Sequence, residues 1–73
     1  MYLTELRNGQ TAVVKDIEGG GGAKDRLESL GIMPEKKITK ISSHFWGGPV
    51  TVMIGKTKVA IGHGMAKKII VEN

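Results

Sequence analysis

Apolar residues recur along this chain in five short runs, each followed within a few positions by glycine, proline or another turn former. Runs of that length, punctuated by turn chemistry, predict the strands of a small, strongly bent sheet. The first spans Thr11 to Ile17, with Val13, Val14 and Ile17 dominant. Its alternation is imperfect, which predicts a bulge or strong coiling. The second spans Lys36 to Ser43, with Ile38 and Ile41 inside at an odd spacing that again predicts a bulge. Val50, Val52 and Ile54 alternate cleanly as a third strand. Gly55-Lys56 is a tight turn of the Gly-X kind that closes a hairpin. Lys58 to Ile61 is the fourth strand, with Val59 and Ile61 inward. Gly62-His63-Gly64 turns the chain, Met65 and Ala66 form a single helical turn, and Lys68 to Val71 closes the sheet with Ile69 and Val71 inward.

Two segments carry helical spacing instead. Leu3 and Leu6 stand three apart before Gly9, which suits one turn of 3₁₀ helix whose leucines plug one end of the sheet. Further on, Ala23, Leu27 and Leu30 fall at i, i+4 and i+7 on one face of a short helix, with Lys24, Asp25, Glu28 and Ser29 on the other. Gly31 is placed as the C′ glycine, Ile32 can fold back onto Leu27, and Pro34 prevents the helix from resuming. Gly19 to Gly22, four glycines in a row, are expected to be a flexible loop, since glycine gives up more backbone freedom than any other residue when ordered. The pattern as a whole predicts one mostly-β domain over residues 1–73. Its architecture is a small, partly open barrel of about five strands with one short α-helix and an N-terminal helical turn. A barrel this small spends its apolar residues on its own core, so a binding module is expected rather than an enzyme pocket.

Composition narrows the chemistry. There is no cysteine, hence no disulfide framework, no thiolate metal site and no cysteine nucleophile. Eleven basic residues against seven acidic ones give a formal charge of +4. The lysines are spread rather than clustered, which fits a solvated surface or an anionic partner. No apolar stretch approaches the roughly 20 residues that span a bilayer. The N-terminal residues lack the basic and apolar regions of a signal peptide. A cytoplasmic protein is expected, with any membrane role coming through a partner.

Candidate sites are few. Gly19–Lys24 has glycines and a lysine, but Ala23 precedes Lys24 and Asp25 stands where a phosphate loop needs a hydroxyl, so nucleotide binding is not expected. His44 and His63 are the only imidazoles and show no short ligand spacing, so no metal site and no cofactor is expected. No paired carboxylates or activated nucleophile appear, so no catalytic residue is assigned. Phe45 and Trp46 are adjacent on a loop before Gly47-Gly48-Pro49. They read as a protein-binding anchor, or as rings folded over the open end of the barrel. Base stacking would want more aromatics among the lysines. Met33 reads as a core gap-filler or, with Leu30, as part of an exposed apolar groove.

The order of these pieces resembles the FeoA family along nearly the whole chain. The matching residues are Leu3-x-x-Leu6-x-x-Gly9 before a valine-rich strand, Arg26-Leu27-Glu28-Ser29-Leu30-Gly31-Ile32-Met33-Pro34, Gly47-Gly48-Pro49-Val50, and Ile61 through Ala66 to Ile69-x-Val71. The resemblance implies an SH3-like domain. It also implies an accessory role in ferrous iron uptake, through docking on the cytoplasmic part of the FeoB membrane transporter. On that basis Arg26, Leu30, Met33, Phe45 and Trp46 are the expected partner-binding residues, and weak self-association through open sheet edges is allowed for. Similar domains end metal-dependent repressors, so fold alone does not fix function. The alternatives are a basic SH3-like nucleic-acid-binding module and a metal-responsive regulatory domain. Two positions depart from the family pattern. Glu35 stands where glycine is usual, which predicts strain if that position needs positive φ. Gly62-His63-Gly64-Met65-Ala66 keeps only the alanine of the family's closing Glu-Ala segment.

Overall fold

The computed structural model describes residues 1–43 and 47–73. A 3₁₀ turn (Leu3–Glu5) leads into strand β1 (Thr11–Ile17), helix α1 (Gly21–Ser29) and strand β2 (Lys37–Ser43). Strands β3 (Val50–Ile54) and β4 (Thr57–Ile61), the four-residue helix α2 (His63–Ala66) and strand β5 (Ile69–Glu72) complete the chain. The strands form one antiparallel sheet in the order β4-β3-β2-β1-β5. Its end strands, β4 and β5, are not paired with each other, so the sheet curls around a core and stays open on one side, as the strand pattern predicted.

Both expected bulges are present, and each has a sequence cause. In β1, Val14 faces Val71 and Asp16 faces Ile70, so Lys15 is the extra residue. The extra residue turns Val14 and Ile17, an odd number of positions apart, to the same buried side. In β2 the shift lies between Lys40 and Ser42, which makes Ile41 the extra residue. Here the expected inward set is corrected. Ile38 is buried as read, but Ile41 is only half-buried and Lys40 takes the inward position at 5% exposure. Lys40 tolerates it because its Nζ donates to the carbonyl oxygens of Leu6 at 2.8 Å and Thr4 at 3.2 Å. These oxygens lie at the C-terminal end of the 3₁₀ turn, where helix carbonyls lack internal partners. The Lys40 backbone joins the same segment, donating to Gln10 O and accepting from Gly9 N–H.

Helix α1 also departs from expectation. It begins at Gly21 rather than Ala23 and takes two of the four glycines that were read as loop. Gly19 alone of the four has positive φ, at +98°. Leu27 is fully buried. Once it is anchored, extending the helix backward costs about 1 kcal/mol of glycine entropy per residue, which the added backbone bonds can offset. The C-terminus follows the reading closely. Gly31 N–H donates to Glu28 O at 2.9 Å and Ile32 N–H to Leu27 O at 2.9 Å, with Gly31 at φ +89°. That pair of bonds is a Schellman cap, and the fully buried Leu27 and Ile32 sit at the two positions whose apolar contact usually accompanies it.

One core serves all elements. It draws Leu3 and Leu6 from the N-terminal segment, alternate residues from every strand, Leu27 from α1 and Ala66 from α2. Of the three methionines read as gap-fillers, only Met65 packs against this core; Met33 and Met53 are half-buried elsewhere.

Candidate docking surface

The Schellman cap fixes what the end of α1 displays. With Leu27 and Ile32 drawn under the cap, Leu30 is left on the surface, 42% exposed. It follows Leu27 in the heptad-like spacing of the sequence, yet it lies at the C-cap with φ −91° and ψ 1°, off the helical path that would bury it. Beside it, a Cβ at Gly31 would lie 3.6 Å from the Ile54 side chain, so this corner abuts the end of the β3–β4 hairpin. Ile54 is half-buried. Met33 is half-buried and Arg26, one turn before Leu30, is exposed. The sequence-derived set is thus brought to one end of α1 as far as Arg26, Leu30 and Met33 are concerned. Phe45, Trp46 and His44 lie outside the described residues.

The backbone after Met33 is held firmly. Glu35 N–H donates to Val14 O at 2.8 Å, and Val14 N–H donates to Lys36 O at 2.9 Å. These bonds impose φ +75° on Glu35, the one non-glycine with positive φ among the described residues. Its side chain is exposed and meets Lys15 at 3.6 Å, a surface ion pair of little energetic weight.

His63 opens α2 and is exposed; a Cβ at Gly47 would lie 3.9 Å from its ring. Among the described residues, no group of three histidines, aspartates or glutamates comes together to hold a metal ion. They enclose no pocket either. Among the described residues, no helix is long and apolar enough to cross a membrane.

Two features escaped the sequence reading. One is Lys40, counted there among spread surface lysines. The signal would have been its inward register opposite Val52, which only the bulge position reveals. The other is charge segregation, which was available in the sequence. Between Glu35 and Glu72 there is no acidic residue, while Lys36, Lys37, Lys56, Lys58, Lys67 and Lys68 lie in that stretch outside the core. The half of the sheet built from β2, β3 and β4 is therefore uniformly basic.

Comparison with known proteins places this geometry. The family described as the FeoA domain matches residues 1–73. The Methanocaldococcus jannaschii protein named "Putative Fe(2+) transport protein A" is 39% identical over 74 residues, covering 100% of this chain and 88% of its own. A crystal structure of an iron uptake regulatory protein, FeoA, superposes with a TM-score of 0.91 at 33% identity, covering 99% of this chain and 95% of the other. The zinc complex of Stenotrophomonas maltophilia FeoA, described as a procaryotic SH3 domain protein, has a TM-score of 0.83 at 26% identity over 99% of this chain and 89% of that one. The curled, open five-stranded sheet is thus SH3-like.

Proposed function

This chain belongs to the FeoA family, and from that premise we propose that it is a non-catalytic accessory protein of ferrous iron transport. It works by docking on the cytoplasmic part of a FeoB-like membrane transporter. The observation that carries the reading is the exposed Leu30, held rigid on its Schellman cap beside Gly31 and Ile54. A large apolar side chain on a stiff, hydrogen-bonded corner loses little conformational freedom on binding, which favours it as an anchor. Met33 widens the apolar surface and Arg26 supplies a charged rim. The excess of basic charge steers encounter with an acidic partner, while the apolar corner governs how long the complex lasts.

The test is calorimetry or pulldown with the cytoplasmic domain of a FeoB-like transporter, with and without guanine nucleotide. Weak binding that falls with added salt is expected. Leu30→Asp is expected to weaken it about tenfold or more while leaving the unfolding free energy within about 0.5 kcal/mol of the parent, because the leucine is already on the surface. No binding at millimolar protein, in either nucleotide state, would overturn the proposal.

A further inference from the structure

We propose that the free edge of β4 is a second, distinct contact, one that accepts an acidic extended segment of the partner as a sixth strand. The inference deepens the docking reading and rests on it only in supposing a protein partner. It begins with the asymmetry of the two sheet edges. The outer edge of β5 is already covered: Tyr2 bridges to Ile70, Val71 N–H donates to Met1 O at 2.7 Å, and the Met1 ammonium donates to Val71 O at 3.2 Å. The outer edge of β4 has no such cover among the described residues.

Hairpin geometry says which groups that edge offers. Ile54 and Thr57 flank the two-residue turn and form a hydrogen-bonded pair, so Val52–Val59 and Val50–Ile61 are the next such pairs along the ladder. Lys58 and Ala60, between them, turn their N–H and C=O groups away from β3. Neither has a backbone partner among the described residues. An incoming strand would take up these donors and acceptors, as in strand addition generally.

Side chains then specify the visitor. Lys58 is exposed, and Lys56 stands in the adjoining turn. Val59 is half-buried at the rim of the core and would be covered by an apolar side chain on the new strand. The segment that fits alternates acidic with apolar residues, its carboxylates facing Lys58. The whole stretch from Lys36 to Val71 is free of acidic residues, so β4 and its hairpin partner carry no like charge against such a segment. A second copy is the poorer occupant: each copy carries +4, and antiparallel pairing of two β4 strands sets their Lys58 side chains opposite or diagonal to each other. Nucleic acid is also the poorer fit, since this stretch has no arginine for bidentate phosphate contacts and the free amide ladder would go unused.

The experiment is an amide-resolved NMR titration of the full ¹⁵N-labelled chain with an end-blocked peptide of alternating valine and glutamate. The Lys58 and Ala60 amides are expected to shift and gain protection from exchange, with affinity falling as salt rises. Lys58→Glu and Ala60→Pro should each weaken binding about tenfold or more, the first through charge and the second by removing one outward N–H. Proline is tolerated at edge positions whose N–H is unpaired; if Ala60→Pro disturbs the fold, Lys58→Glu still decides. The proposal is overturned if the peptide fails to bind at millimolar concentration or if shifts cluster away from β4. It is equally overturned if oligothymidylate binds the same edge more tightly, or if the free chain dimerises through β4. Transporter-domain binding that survives Ala60→Pro but not Leu30→Asp would sink this edge contact and leave the docking reading standing.

Discussion

Glu35 shows how a single residue can be held in a conformation that its side chain resists. A Cβ in the left-handed region costs about 1–2 kcal/mol, and the bond from Glu35 N–H to Val14 O keeps the residue there regardless. Glu35→Gly is expected to stabilise the protein by about 0.5–1 kcal/mol, the relief of strain less the greater freedom of glycine in the unfolded chain. Glu35→Ala should change little, since it keeps the strain and loses only an exposed ion pair; equal gains from both in urea denaturation would disprove the strain account. At the N-terminus, the Tyr2 phenol is raised above its ordinary 10.0 first by the acceptor carboxylate of Glu18, then by desolvation, with the charges of Glu18 and Glu5 adding to it. The folded state therefore holds this proton more tightly than the unfolded chain does. Its stabilising contribution is complete below the ordinary value and is lost as pH rises through the higher folded value. Stability measured from neutrality to about pH 11 should fall more in the parent than in Tyr2→Phe. Parallel curves would show that Glu18 does not hold the phenol proton in solution.

Among the elements, α1 is the least self-sufficient. It has nine residues, one of them fully buried, and it opens on Gly20 as N-cap with Gly21 and Gly22 in its first turn. No capping side chain serves its start, and the helix depends on the Leu27–Ile32 anchor at its other end. Gly22 has open space around it and no positive φ. Gly22→Ala should therefore raise stability by about 0.5–1 kcal/mol. A loss would mean that the first turn is not helical in solution. The same change should leave binding through Leu30 unaltered, because the cap that positions Leu30 lies at the opposite end. The β3–β4 hairpin is more strongly determined. Gly55 takes φ +60° while Lys56 does not, the arrangement of a type II′ turn whose twist matches that of the strands.

For the molecule as a whole, Lys40 ties distant parts together. Its ammonium holds the carbonyls of Thr4 and Leu6, which are 36 and 34 positions away in sequence, and so locks the Leu3–Leu6 plug onto β2. Lys40→Ala should destabilise the fold by about 2–4 kcal/mol, leaving one buried and one part-buried carbonyl without their partner and a cavity beneath the turn. Lys40→Met should recover part of that loss through packing but not all of it. Recovery of full stability by methionine would show that the hydrogen bonds contribute nothing net.

The alternation and interruption of apolar residues determined most of the architecture on their own. Five strands, the N-terminal turn, the Gly31 cap with Ile32 folded onto Leu27, and a bulge in each of β1 and β2 follow from periods and turn chemistry, because these act over a few residues and leave their mark in local spacing. The strain at Glu35 was legible too, once the family pattern marked that position. Tertiary structure alone decided the rest. Which residue of β2 takes the bulge depends on carbonyls that another segment brings to Lys40, so Ile41 yielded the interior to a lysine. The glycines joined a helix because Leu27 was anchored elsewhere. Leu30 came to the surface because the cap left it no place inside, and among the described residues one sheet edge stayed uncovered while Met1 and Tyr2 closed the other. Each of these outcomes turns on a partner far along the chain, and local spacing carries no record of it.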